Sequence, residues 1–379
     1  MTKLVFWSSV DPSPTLKQLI EKLSLKGYDS DVNYLISNDS YRIKDNIILK
    51  LILKFKMYIA YPVYVVYKLL TDRNSAINIV TTNTFYTPLI VLLFSPKQNK
   101  TIHLVWDLYP NIIYYVDHKN YFLESFIVRN ILYSISSRIF KRSDANIFLT
   151  EKIKENTLNT YKYVSNPQII PVSSNNFFVY NDEKFNKIND IKIYYIGNFG
   201  IFHNVNLLID FFKNNNQNVK NYSFHFYSSG SNYDKLKKFI LNNHNDLINN
   251  VVFFNNSLNS IDYINLMNSI CLSLVSLSSN ADQFLFPSKV FSAMAAGQAI
   301  LAICDFDSEL AKLIIDNDCG WVVSPNSTID FNNTLNHIIH NKEEIKRKMK
   351  NSFIAFNTKF NIEIISETWI RVFEEILNK

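Results

Sequence analysis

Lys289 follows Ser288 at the head of a helix-forming run, Pro287-Ser-Lys-Val-Phe-Ser-Ala-Met-Ala-Ala296, that stops at Gly297. Serine is a favoured helix N-cap and glycine a favoured stop. A lysine beside open backbone N–H groups at a helix start attracts anions, and a diphosphate suits that combination. An ordinary capped helix in an α/β domain would use the same residues, so the local pattern leaves both readings open. A second pattern, Gly197-Asn198-Phe199-Gly200, follows the strand-like run Ile191–Ile196. The chain has only six glycines, so two in one turn suggest a backbone requirement, such as close approach to phosphates. A plain strand-to-helix turn is the alternative. His203 and Asn204 lie just beyond, and Glu309 opens a later helical stretch behind Ser308. In the first half, His103 and Asp107 lie in and just past the strand-like run Thr101–Trp106. In α/β sheets ligands collect at that end of the strands. A packed histidine and a turn-forming aspartate are the simpler accounts.

The elements that must position these groups form two successive α/β series. Leu4–Ser9, Thr15–Leu25 with its stop at Gly27, and Tyr28–Leu35 read as strand, helix and strand. Further strands are expected at Ala76–Val80, Thr101–Trp106, Ala145–Leu149 and Ile169–Val172. The polar stretch 173–190 reads as a linker. A second series then runs through strands at Ile191–Ile196, Ser223–Tyr227, Val251–Phe254, Leu272–Val275 and Ala299–Cys304, with helices between them. The 379 residues suit two domains of about 100–200 residues each. Hydrophobic residues at 47% and charged residues at 19% exclude a disordered chain. Three cysteines, Cys271, Cys304 and Cys319, lack metal-ligand spacing and read as reduced and buried. A net charge of +6 suits an anionic surface or phosphorylated substrate and is too small to argue for nucleic acid. The N-terminus lacks a signal-peptide core, and no apolar run is long enough to span a bilayer. A cytoplasmic protein is therefore expected.

Four segments resemble the donor-site region of glycosyltransferase family 4, in the branch from bacterial capsule, O-antigen and exopolysaccharide clusters. They are Phe286-Pro-Ser-Lys289, Ala293-Met-Ala-Ala-Gly297, Ser308-Glu-Leu-Ala-Lys312 and Cys319-Gly-Trp-Val-Val-Ser-Pro325. Tyr195-Ile-Gly-Asn-Phe-Gly200-Ile-Phe-His203-Asn204 and His103-Leu-Val-Trp-Asp107-Leu-Tyr-Pro110 agree with it as well. The resemblance implies the α/β GT-B fold, two Rossmann-like domains facing each other across a cleft. Residues 1–175 would bind acceptor and residues 190–361 the nucleotide sugar, with a C-terminal helix in 362–379 packing back on the first domain. Its apolar positions Ile365, Trp369, Val372, Phe373 and Ile376 fit one buried stripe. The implied activity is transfer of a hexose or N-acetylhexosamine from a nucleotide-diphosphate sugar, a UDP-sugar above all, to a saccharide hydroxyl, with retention. The acceptor is expected to be lipid-linked. Donor-site candidates are Gly197, Asn198, Phe199, Gly200, His203, Ser288, Lys289, Ser292 and Glu309. Asp107 and His103 are the catalytic candidates. No cofactor and no metal are expected: Asp305-Phe-Asp307 has the spacing of a metal-binding pair, but Asp307 or Ser308 is better placed to cap a helix.

The sequence departs from the family at four places. The family's arginine or lysine after the glycine turn is absent, with His203 or Asn204 to fill that place, and the loop after the first strand, Ser8-Ser9-Val10-Asp11, has no glycine. Ser292 stands where the family usually has a ribose-binding glutamate, and Phe284 stands where it has another acidic residue eight positions earlier. The missing glutamate at Ser292 keeps a non-catalytic GT-B partner subunit in view, and a nucleotide-sugar epimerase is the other alternative, since that class shares the implied fold. The stretch Lys50–Tyr67 mixes Lys50, Lys54 and Lys56 with large apolar residues. It reads either as a helix lying on anionic lipid at the inner face of the cell membrane or as a half-solvated domain helix. A homo-oligomer is also left open.

Overall fold

The computed structural model describes residues 2–38, 47–72, 74, 76–82, 84–116, 125–174, 177–180, 190–214, 222–248, 250–255 and 258–378. The expected linker falls partly outside these residues. The chain divides into two compact units. One comprises Met1–Val172, Gln283–Leu285 and Ile362–Lys379, and the other Ser173–Asp282 and Phe286–Asn361.

The first unit is built on six parallel strands: β1 (Lys3–Trp7), β2 (Asp29–Asn33), β3 (Ala76–Thr81), β4 (Lys100–Val105), β5 (Ala145–Phe148) and β6 (Pro167–Ile169). Their order is β2-β1-β3-β4-β5-β6, all parallel. β3 is buried along its whole length, as expected of a strand covered by helices on both faces. One face packs Leu4, Phe6, Ile77, Ile79, Ile102 and Leu104 against helix Pro14–Leu25 and the C-terminal helix Ile362–Leu377. The other packs Val5, Trp7 and Val80 against Tyr61, Val65 and Leu69 of helix Tyr61–Thr71. Ser13 caps the first helix by accepting the Leu16 N–H, and the chain turns out of it at Gly27 with φ of 96°.

The second unit contains β7 (Ile191–Asn198), β8 (Tyr222–Ser229), β9 (Val252–Asn255), β10 (Leu272–Ser276), β11 (Ala299–Ile303) and β12 (Gly320–Val323). Their order, β12-β11-β10-β7-β8-β9, is again all parallel. Counting from β7, this is the doubly wound order in which the chain starts at the centre, winds outward, and then returns past its first strand. The topological switch point lies between β7 and β10. A stack of phenylalanines, Phe211, Phe212, Phe224 and Phe331, fills the core between the sheet and helices Asn206–Asn214 and Thr328–His340. The buried cysteines carry no disulfide.

The expected elements lie within two or three residues of those observed, with the largest shift at the last strand of the first unit. There, Pro167–Ile169 forms the strand expected at Ile169–Val172.

The C-terminal helix buries Ile365, Trp369, Val372, Phe373 and Ile376 in the first unit's core. Removing the Trp369 side chain should lower unfolding free energy by about 3–5 kcal/mol, the usual cost of truncating a buried aromatic. Arg371→Ala, on the exposed face of the same helix, should change it by less than about 0.5 kcal/mol. Denaturant unfolding of the two variants checks this.

Candidate active site

At the switch point of the second sheet, three segments converge. β7 ends in Gly197-Asn198, and the chain turns through Phe199 and Gly200. The Gly197 φ is 111°, a left-handed value that a side chain would resist. Gly230, at the end of β8 with φ of 121°, lies so close that a Cβ there would meet Asn198 Oδ1 at 2.5 Å and the Phe199 carbonyl at 2.8 Å. Two glycines therefore let the loop lie flat against its neighbouring strand. Asn232 then braces it: its side-chain amide donates to the carbonyls of Gly200 (3.1 Å) and His203 (2.6 Å).

The loop continues into His203 and Asn204, and both meet the end of β10. The His203 ring Nδ1 bonds the Ser276 carbonyl. A carbonyl only accepts, so Nδ1 carries the proton. Burial, then the nearby charge of Lys289, pushes the His203 pKa down to about 3, and the ring stays neutral. The Asn204 N–H donates to Ser276 Oγ at 2.8 Å, and its side-chain oxygen accepts the Leu207 N–H at 2.9 Å, capping helix Asn206–Asn214. Asn204 is thus engaged in building the loop.

Lys289 closes the group. Its Nζ donates to the Asn198 carbonyl at 3.0 Å and to the Tyr195 hydroxyl, and lies 4.0 Å from the centre of the Tyr195 ring. The Gly197 backbone comes close to the same side chain: a Cβ built there would stand 4.0 Å from Lys289 Cε. Burial lowers the Lys289 pKa to about 7. An anion arriving here would restore the charge by pairing with it.

Ser288 differs from expectation. It already has helical dihedrals (φ −54°, ψ −19°), its side chain makes no capping bond, and it is exposed. The helix is only Lys289–Ala295, and its first turn is tight. The Val290 and Phe291 N–H groups are taken by the Pro287 and Ser288 carbonyls at 3.0 and 3.1 Å. Fewer helix-end amides are therefore open here than the sequence pattern implies. Ser292, one turn on, accepts from the Ser174 hydroxyl at 2.9 Å. Glu309 pairs with Lys312 at 3.0 Å in the first turn of helix Glu309–Asp316. Ser308 caps that helix by accepting the Ala311 N–H at 3.2 Å. The Asp305 carboxylate accepts from the Ser279 hydroxyl and the Asn280 N–H, at 3.0 and 2.9 Å, so it ties down a loop. Among the described residues no group of three or more His, Cys, Asp or Glu could hold a metal ion.

In the first unit, His103 lies inside β4 and is buried. Its Nδ1 bonds the Asn146 side-chain oxygen at 3.1 Å, and its ring packs against Phe140. Burial pushes its pKa down to about 4. These contacts hold it as a neutral ring packed within the sheet. Asp107 lies just past the C-terminal end of β4 and is partly exposed, and burial raises its carboxyl pKa to about 6. Phe284, at the family's acidic position, packs its ring 5.3 Å from Tyr115, and its carbonyl accepts the Leu108 N–H at 2.8 Å.

Ser276, Asn232 and Gly230 had no signal as site residues in the sequence, and Tyr195 stood in a resembling segment without being singled out. Tyr195 is an inward strand position, and the other three are brought to the loop only by the sheet order.

Residues 180–355 match the family model described as glycosyl transferases group 1. No curated protein matches the sequence. Similar solved structures include a sucrose-phosphate synthase from Thermosynechococcus elongatus, with a TM-score of 0.74 and 13% identity, covering 100% of both chains. HepE from Anabaena, in complex with UDP, has a TM-score of 0.70 and 13% identity over 99% of this chain and 100% of its own. WaaG, a glycosyltransferase involved in lipopolysaccharide biosynthesis, has a TM-score of 0.64 and 13% identity over 96% of this chain and 98% of its own. The matched segment coincides with the unit that carries the lysine and the glycine turn, so that unit is similar to the group 1 glycosyl transferases; both sheets have the GT-B arrangement, and the chain is a glycosyltransferase.

Proposed function

We propose that the chain transfers a hexose or N-acetylhexosamine from a UDP-sugar to a hydroxyl of a lipid-linked saccharide, with retention, in the assembly of a bacterial surface polysaccharide or glycan. The observation that carries this reading is Lys289, held against the Gly197–Gly200 turn at the switch point of the second sheet. The anomeric carbon–oxygen bond to the diphosphate breaks, and the electron pair leaves with the phosphate oxygen. Lys289 meets the charge that develops there. Phe199, expected at the donor site, is fully buried, and its N–H is already donated to the Ser229 carbonyl at 2.8 Å, so it shapes the turn instead of meeting the donor. The acceptor oxygen bonds to the same face of the anomeric carbon, and its proton passes to a phosphate oxygen of the leaving diphosphate. HepE has been seen with UDP and with UDP-glucose, which supports the choice of base. Asp107, at the C-terminal edge of the first sheet, is assigned to orient acceptor hydroxyls. His203 and Glu309 are assigned to the donor's sugar side. Ser292 offers a single hydroxyl in place of the family's carboxylate.

The membrane reading rests on helix Ile47–Phe55 and the π-helical turn Lys56–Ala60. Ile48 is 67% exposed, Leu51 61%, Phe55 57% and Ile59 54%, interleaved with exposed Lys50, Lys54 and Lys56. Apolar side chains beside lysines suit a surface of anionic lipid. No described helix is long and apolar enough to cross a membrane.

Lys289→Ala should lower turnover with UDP-sugar, and affinity for UDP, by at least about tenfold while the melting temperature holds. A charge-assisted bond is worth roughly 1.5–3 kcal/mol. Calorimetry and a UDP-release assay with and without acceptor test this; unchanged values would remove the diphosphate from this lysine. The assay should also be run across a panel of nucleotide sugars to fix donor and base.

The Lys289 pKa of about 7 gives a pH signature. A bound diphosphate favours the ammonium, so above pH 7 binding must take up a proton. UDP affinity should therefore fall as pH rises from about 7 to about 9, by up to about tenfold per unit. The Lys289→Ala protein should lose that slope, as titration calorimetry across the range would show.

The chain should sediment with vesicles of anionic phospholipid and be released by about 0.5 M salt, which screens charge beyond a few ångströms. Replacing Lys50, Lys54 and Lys56 together by Gln should weaken sedimentation several-fold. Undiminished binding would make these lysines a solvated helix face.

A further inference from the structure

Lys289 has a long, flexible side chain, and an anion site made from such a residue normally loses rotamer entropy on binding. Here the side chain is already held. Tyr195 lies on β7 two residues before Gly197, and its ring is buried against Phe199 and Phe226. Its hydroxyl reaches the inner side of the loop and donates to the Asn198 carbonyl at 2.9 Å. The same oxygen accepts from Lys289 Nζ, which also donates to the Asn198 carbonyl. Tyrosine, lysine and carbonyl thus form a closed triangle. Burial raises the Tyr195 pKa well above its ordinary value, so the group stays a phenol that can donate to the carbonyl and accept from the ammonium.

We propose that Tyr195 is the positioning residue of the diphosphate site: its hydroxyl fixes both the Lys289 ammonium and the Asn198 peptide, so that lysine and glycine turn present themselves to the nucleotide as one preformed cradle. An ammonium has three donors. Two are used within the triangle, and the third is directed to an incoming phosphate oxygen. The ring beneath the charge adds a cation–π contact and excludes water from that side. The orientation is thereby set before the nucleotide arrives, which is where preorganisation gains affinity. This inference rests on the assignment of Lys289 to the diphosphate.

Tyr195→Phe keeps the ring, its packing and the cation–π contact, and removes only the hydroxyl. Affinities for UDP and for uridine are measured by calorimetry in the full-length wild-type chain, Tyr195→Phe, Lys289→Ala and the double variant. Tyr195→Phe should weaken UDP binding by about three- to tenfold, as expected for one hydrogen-bonded hydroxyl. Uridine affinity and melting temperature should be unchanged. The double variant should bind UDP within about twofold of Lys289→Ala alone, because without the lysine the hydroxyl has nothing to position. Equal loss of uridine affinity, fully additive losses, or tighter UDP binding by Tyr195→Phe would each overturn the role of Tyr195 while leaving that of Lys289 intact. Unchanged UDP affinity in Lys289→Ala would overturn both.

Discussion

The contact between the Lys289 ammonium and the Asn198 carbonyl ties together the parts of this site. It joins a helix that follows β10 to a loop that follows β7, across the one place where the second sheet reverses its winding. Neighbouring parallel strands there send their connections to opposite faces, and a crevice opens between them. Much of the local architecture serves to bring the two segments within reach. Glycines at 197 and 230 let the loop lie flat, Asn232 satisfies its carbonyls, and the Asn204 side chain ties its end to the Pro325 carbonyl and the Leu207 N–H. Ser276 takes a hydrogen bond from each side of the loop's end through His203 and Asn204.

A half-buried lysine is costly to keep charged, and the lowered pKa of Lys289 expresses that cost. In the proposed role the same cost is an advantage. A cation with few water molecules gains more from an arriving anion than a solvated one does. His203 stays neutral beside it for the same electrostatic reason, since a second positive charge would be opposed by both burial and the lysine. Where the family usually has a carboxylate, the Ser292 hydroxyl instead meets the Ser174 hydroxyl.

The first unit solves a different problem. Its sheet needs a helix on each face, and part of one face is covered by the last helix of the chain, which returns after the whole second unit has been built. Its stripe of Ile365, Trp369, Val372, Phe373 and Ile376 contributes burial the unit could not draw from its own contiguous segment. The helices from Ile47 to Thr71 behave differently. Their inward residues, Tyr61, Val65 and Leu69, pack on the sheet, while Ile48, Leu51 and Phe55 remain exposed beside lysines. The proposed contact with anionic lipid rests on this juxtaposition of exposed apolar side chains and lysines.

The sequence by itself determined the strand and helix alternation, because apolar runs of strand length and amphipathic stripes are local patterns. The Ile365–Ile376 stripe and the Gly197–Gly200 turn were legible for that reason, as was Lys289, since the residues around it carry a family pattern on contiguous positions. Ser308 as a cap was also local, being set by three neighbouring residues. What the sequence could not decide were matters of register and direction. Ser288 looks like a cap by type, yet its dihedrals are already helical, and only the path of the preceding loop determines that. His103 looked available because it sits in the run that ends at Trp106. The side-chain alternation of β4 and the neighbouring β5 instead turn it toward Phe140 and Asn146. Tyr195 lies 94 residues from Lys289 in the chain, and no periodicity links them. Their meeting depends on strand order, which arises from packing across the whole sheet and leaves no mark on either residue's neighbours.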